Sequence, residues 1–482
     1  MLTHDSTALA ALVAHGDVSP DELLDAALAR VAVLNPALNA VVLMQEQTAR
    51  AAISAGLPDG PFRGVPFLLK DLGAEAKDFP SHNGSKLFAN TQYNYDSHLY
   101  ERIRATGVVT FGRTTSPEGG IGAVTEAAVY GGPTRNPWNL DRTSGGSSGG
   151  AGAAVAAGII PMAHGSDGGG SIRIPASSCG LFGFKATRAR FPDGPAAGEG
   201  WAGMAIDGFL SRSVRDSAAM MDACAGDVAG NPYAAPPLKR GYLASIDRPP
   251  RRLKIGICDT TFTGAAIHTD CHTAVQETGR LLENLGHDVV PLCPQADHLG
   301  MMQAWTRIVA CGTALSIHHK IDKRGKPLVD GEIQDISRGA MEYAKQFSGA
   351  DYLDAVEKIH AYGRQMAAVF NDCDILLSAT LAEPPAEVGR FNHDRLDYEN
   401  YRIGKGGIFE YSPFCAAFNA SGQPAASLPM HWNADGLPIG IHLAAAFGDD
   451  ETLIALCAQL EQAQPWAHRW PEMTLKALAN AK

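Results

Sequence analysis

Nowhere in this chain do apolar residues run for the roughly 18 positions that a membrane-spanning helix requires. Met1 to Leu28 also lacks the basic segment followed by a continuous apolar stretch that marks a secretory leader. These two absences lead us to expect a cytoplasmic protein. Lys and Arg form no run, and with 40 of them against 51 Asp and Glu the formal net charge is −11. That balance argues against nucleic acid or an anionic membrane as partner and favours a small molecule. The nine cysteines (Cys179, Cys224, Cys258, Cys271, Cys293, Cys311, Cys373, Cys415, Cys457) contain no C-x-x-C pair and are odd in number, so reduced thiols are expected. The sixteen histidines include no H-E-x-x-H, and His318-His319 has neither the right spacing nor a nearby carboxylate. No metal and no cofactor are expected.

What the chain does have is an ordinary globular composition, 45% hydrophobic and 19% charged, with 52 glycines concentrated between Gly119 and Gly208. Ser19, Pro20 and Glu22 form a capping box for a helix that Asn35-Pro36 should end. Val65 to Leu69 reads as a buried strand ending at Lys70, Val108 to Phe111 and Ile159 to Ala163 as further strands, and Ala153 to Ala157 as helix. Beyond Arg212, helices and strands alternate: Val214 to Ala225, Lys254 to Ile257, Cys271 to Leu285, Asp288 to Val290, Asp374 to Ser378, Ala425 to Leu428 and Asp450 to Gln462. The expected class is α/β, a large mixed, twisted sheet surrounded by helices in one domain spanning 1–482. Its parts are a helical region at 1–60, a core at 61–212 and the remaining sheet, helices and pocket segments at 213–482.

Two glycine-rich segments carry the chemistry: Gly145-Gly146-Ser147-Ser148-Gly149-Gly150, and Gly165 to Gly170 leading into Ser171-Ile172-Arg173. A flexible linker is a poor reading, because both lie between core elements. Phosphate binding fails too, since no G-x-x-x-x-G-K-[ST] is present. What remains is an exposed turn whose amides surround a nucleophile, here Ser171, with the N–H groups of Gly168, Gly169, Gly170 and Ser171 as an oxyanion hole. A serine needs a base. There is no G-x-S-x-G elbow, and His164 reads better as a hydrogen-bonded strand-end histidine than as that base.

Leu69-Lys70-Asp71, the Gly145 to Gly150 segment, and Asp167 to Arg173 with Pro175 occur in the order found in the amidase signature family, which the chain resembles. The resemblance extends to Asn136-Pro137-Trp138, Gly180 to Lys185 and Phe418 to Ala425, and so covers nearly the whole chain. It implies an amidohydrolase with a Ser–Ser–Lys triad: Ser171 as the acylated nucleophile, Ser147 as a bridge after a cis peptide bond, and Lys70 as base. Asp167 and Arg173 would hold the loop's shape as a buried ion pair. Lys70 must be desolvated to act near neutrality, since an ordinary lysine has a pKa of about 10.4; otherwise it is a snorkelling surface side chain. Gly168 departs from the pattern, where many relatives carry Thr or Ile, and Ala186 stands where a proline is usual. The first departure is expected to loosen the oxyanion loop.

Arg135 to Leu140 and Ser171 to Ser177 look most similar to the 6-aminohexanoate cyclic-dimer hydrolases within that family. That likeness implies a pocket residue at Cys311, with Val124 and Thr125 as further pocket candidates, although a core thiol is an equal reading of Cys311. Gly119 to Tyr130, Met301 to His319 and Phe391 to Phe414 are expected to be irregular segments that shape an apolar, uncharged cavity. Small apolar amides, cyclic or linear oligoamides, aryl amides and carbamates would all fit, with a homodimer as the expected assembly. A glutaminase subunit of a tRNA-dependent amidotransferase and a non-catalytic relative are the alternatives.

Overall fold

Ser19 accepts the backbone N–H of Glu22, and Glu22 reaches back to the N–H of Ser19, so the expected capping box starts the helix Pro20–Leu38. The helix does not stop at Asn35-Pro36 but runs on to Leu38. Pro36 sits in the last turn and removes one backbone donor there, while the Asn35 side chain accepts the N–H groups of Ala40 and Val41, which steers the chain out. The computed structural model describes residues 4–479; Met1 to Thr3, part of the stretch read for a leader, lie outside the described residues. Among the described residues, no helix is long and apolar enough to cross a membrane.

The fold is the expected mixed α/β arrangement, with a sheet of eight strands among helices. From one edge the order is Asp288–Pro291, Lys254–Ile257, Ile375–Ala379, Pro438–Ala445, Ala425–Trp432, Phe182–Lys185, Ile206–Ser211 and Met162–Asp167. The first three strands are parallel to one another, and every later pairing is antiparallel. A smaller sheet pairs Pro66–Lys70 in parallel with Val109–Thr114, whose other side carries Val41–Val42. Strands from both 61–212 and 213–482 build the large sheet, so those parts share a core.

Three expectations need correction. The strand placed at Ile159 to Ala163 begins at Met162, because Gly158 closes the preceding helix in a left-handed turn and Pro161, without an N–H, sits in the connection. Met301 to His319 is not irregular. It belongs to a continuous helix, His298–Arg324, capped by Asp297 and ended by Gly325. Finally, two of the nine cysteines are not reduced thiols: Cys258 and Cys293 form a disulfide with a Cα–Cα distance of 4.9 Å. Cys258 directly follows Lys254–Ile257 and Cys293 lies two residues past the neighbouring parallel strand Asp288–Pro291, which brings them side by side despite a separation of 35 residues. The other seven are free.

The helix Gly149–Ala156 is wholly buried and made only of Gly, Ala and Val. A Cβ on Gly150 would stand 2.4 Å from the backbone nitrogen of Thr115, so only glycine lets the helix start this deep in the core.

Candidate active site

Lys70 ends a strand in which every residue is buried, and its own relative exposure is 0%. Its Nζ donates to Ser147 Oγ at 2.7 Å and to Ser166 Oγ at 2.9 Å. Burial pushes the Lys70 pKa down to about 7, although Asp207 and Asp167 pull it upward. A neutral amine is therefore well populated near pH 7, and Lys70 is no snorkelling surface lysine.

Ser147 follows the cis Gly146–Ser147 peptide and is almost fully buried. The Ser148 N–H donates to the Ser171 carbonyl at 3.1 Å, which ties the two glycine-rich segments together. Val124 and Thr125 belong to this joint and line neither cavity at the site. The Thr125 hydroxyl donates to Gly145 O at 2.9 Å and accepts from Gly149 N, while a Cβ on Gly146 would meet the Val124 backbone at 2.5 Å.

The turn before Ser171 is built on Asp167 and Arg173, both fully buried. Arg173 grips the carboxylate with Nε at 3.0 Å and Nη2 at 2.9 Å, and its remaining donors reach His442 Nε2 and Asn419 Oδ1. Burial alone would raise the Asp167 pKa, but the Arg173 charge and hydrogen bonds from Arg173 and Asn419 hold it well below the usual carboxylate range. Asp167 Oδ1 also accepts the Gly170 N–H at 2.7 Å, and Oδ2 accepts that of Ile172 at 3.1 Å. Gly170 is therefore engaged, which leaves Gly168, Gly169 and Ser171 from the expected oxyanion set.

The Trp305 indole donates to Gly168 O at 3.1 Å. In a trans peptide the N–H points opposite to the carbonyl, so this bond turns the Gly169 N–H away from the indole. The Trp201 ring fills the space beside Gly168: a Cβ there would lie 2.5 Å from Trp201 Cζ3. Trp201 and Trp305 meet edge to face with centroids 5.8 Å apart.

Ser171 borders two cavities, and Gly120 and Trp201 border both with it. The larger is about 320 Å³ and is walled by apolar residues such as Leu72, Phe88, Leu99 and Ile317, but also by Glu75, Glu118, Asp193, Glu199 and Asp207. The expectation of an uncharged cavity is thus corrected. Burial, with Asp207, Glu75 and Glu199 nearby, pushes Asp193 up to about 7, and burial likewise raises Glu75 and Glu118. Cys311 is not on this wall; its neighbours Gly312 and Thr313 on the long helix are. The smaller cavity, about 20 Å³, lies against Gly169, Trp305, Phe409, Arg402 and Ser412.

Sequence reasoning missed Ser166, Asp207 and Asn419. Ser166 had a usable signal, since it sits inside the glycine-rich segment beside Asp167. Asn419 lay in the Phe418 to Ala425 stretch that carried the resemblance but was given no role, and Asp207 reaches the site only through folding.

A family model described as Amidase matches residues 22–454. The chain is 36% identical over 481 residues to the 6-aminohexanoate-cyclic-dimer hydrolase of Paenarthrobacter ureafaciens, covering 98% of this chain and 97% of that one. It is 32% identical over 483 residues to the acylamidase of Rhodococcus erythropolis, with 98% and 97% covered. A solved structure of 6-aminohexanoate cyclic dimer hydrolase superposes with a TM-score of 0.92 at 35% identity, covering 98% of this chain and 99% of that one.

Proposed function

The chain belongs to the amidase family, and from that premise we propose that it hydrolyses the C–N bond of small amides through an acyl-enzyme on Ser171. The observation that carries the reading is the 2.7 Å contact between a fully buried lysine and Ser147, at a cavity that Ser147 and Ser171 share. In this scheme neutral Lys70 takes the Ser147 proton while Ser147 takes that of Ser171, whose Oγ attacks the amide carbonyl. The tetrahedral oxyanion receives N–H groups from the set Gly168, Gly169 and Ser171, each such donor being worth roughly a hundredfold or more in rate. The relay then runs backwards, protonating the nitrogen as the C–N bond breaks and the amine leaves. Water attacks the ester through the same groups, releasing the acid and restoring Ser171.

The larger cavity suits an amine portion with an apolar body. An amide nitrogen is uncharged while bound, and the free amine becomes a cation on release, which the carboxylates of that wall accommodate. Cyclic or linear oligoamides, anilides and carbamates are the substrates to try first. Relatives that are themselves named as a hydrolase and an acylamidase support hydrolysis over an amidotransferase or a binding role.

The test is a panel of 6-aminohexanoate cyclic dimer, linear oligoamides, anilides, primary amides, glutamine and aryl carbamates, with released amine followed by mass spectrometry. Wild type should turn over at least one class and Ser171→Ala none. Equal behaviour of the two proteins on every active compound would remove Ser171 from its role.

A further inference from the structure

We propose that Arg402 and Ser412 form a carboxylate-recognising subsite beside Ser171, so that the preferred amides carry an anionic group on that side of the scissile bond. The inference rests on the reading of Ser171 as nucleophile only for its link to catalysis; the subsite itself rests on the polar groups of the smaller cavity.

Arg402 sits on the short helix Tyr398–Ile403 with 2% of its surface exposed, yet neither its Nε nor its Nη2 has a hydrogen-bond acceptor. Among the described residues no carboxylate forms an ion pair with it. Its neighbours are aromatic faces: its guanidinium carbon lies 4.8 Å from the Trp305 ring centroid, 5.4 Å from that of Tyr398 and 5.7 Å from that of Tyr401. Such faces attract a cation but accept none of its in-plane N–H bonds, and the polar atom among them, the neutral Tyr398 hydroxyl, supplies no counter-charge. Ser412, 3% exposed on the same cavity, has an Oγ with no partner beyond the weakly bonding Cys415 thiol. Buried donors are ordinarily satisfied, and a buried cation is ordinarily paired. Two unsatisfied groups facing one small space next to a nucleophile therefore call for an acceptor that arrives with the ligand.

Size and charge identify that acceptor. A space of about 20 Å³ has room for about one or two water-sized groups, which suits a small polar end of a ligand. The guanidinium fork matches a carboxylate in two parallel hydrogen bonds. None of the residues around this cavity is acidic, whereas five carboxylates stand around the larger one. An anionic end of a substrate is repelled from the large cavity and drawn into the small one, which sets the direction in which the amide crosses Ser171.

The test separates binding from turnover. Calorimetric titration of the Ser171→Ala protein with hexanoate and with hexanamide should show hexanoate binding at least tenfold more tightly. Arg402→Met should abolish that preference, and Arg402→Lys should keep part of it. Equal affinity of the two compounds for the Ser171→Ala protein, which needs no further variant, overturns the subsite, as does a preference that survives Arg402→Met in a protein with an unchanged circular dichroism spectrum. Turnover of paired ω-carboxyacyl anilides and their methyl esters by wild type should favour the acids at least tenfold in kcat/KM. If carboxylate binding holds while Ser171→Ala leaves turnover intact, the subsite stands and the nucleophile assignment fails.

Discussion

The backbone N–H of Lys70 donates to Nδ1 of His164 at 3.2 Å, and the other ring nitrogen of that histidine meets Asp207 Oδ1 at 3.1 Å. An Nδ1 that accepts leaves Nε2 as the ring donor to the carboxylate. His164 thus fixes the strand end that presents Lys70 and joins it to Asp207, which also borders the larger cavity.

Asp207 is one of two carboxylates that raise the Lys70 pKa against the effect of burial. Activity that needs neutral Lys70 should rise with pH to a plateau, with half-maximal kcat/KM near the Lys70 value of about 7. Asp207→Asn removes a charge that favours the ammonium, so the acid limb should move to lower pH. A pH–rate profile of both proteins measures this; a shift to higher pH or none would refute the coupling.

Ser171→Ala and Lys70→Ala should each lower kcat by about three orders of magnitude or more. Fluorophosphonate labelling, read by intact-protein mass, should vanish in Ser171→Ala and slow strongly in Lys70→Ala.

Asp167→Asn leaves the Arg173 charge buried without its counter-charge, and breaking such a pair costs about 3–5 kcal/mol. A clear fall in the urea midpoint is expected, accompanied by loss of activity because the Gly170 and Ile172 amides share that carboxylate.

Gly168→Ala places a methyl 2.5 Å from Trp201 Cζ3 and should cost roughly tenfold or more in kcat by displacing the oxyanion turn. Adding Trp201→Ala should restore part of the loss. A double-mutant cycle on kcat that proves additive would mean the two side chains do not meet.

Thiol titration in denaturant should find seven reactive cysteines before reduction, against nine in the sequence. Removing the Cys258–Cys293 link, which closes a 35-residue separation, should lower stability by about 3–4 kcal/mol on loop-closure entropy.

The parts of the molecule legible in the sequence were those whose meaning is local. Ser19 and Glu22 announce a cap within four residues, and the buried strand before Lys70 is one apolar run. The helix His298–Arg324 was hidden because it is packed on several sides, so its apolar residues form no single stripe. The acidic wall was hidden differently, since Glu75, Glu118, Asp193, Glu199 and Asp207 are dispersed over more than a hundred residues and converge only in three dimensions. Arg402 lies in the segment Phe391 to Phe414, expected to shape an apolar cavity, and nothing local signals that its guanidinium is set among the rings of Trp305, Tyr398 and Tyr401. The disulfide needed the parallel pairing of the edge strand Asp288–Pro291 with its neighbour Lys254–Ile257, a contact that spacing does not encode.

Trp305 donates to the Gly168 carbonyl, borders the smaller cavity and lies under the Arg402 guanidinium. On the two readings proposed above, one side chain serves both the rate and the choice of substrate. Selection acting on this chain cannot retune one without disturbing the other at that position, so divergence in substrate range should accumulate around a constant tryptophan, at Ile408, Phe409 and Ser412 rather than at Trp305 itself.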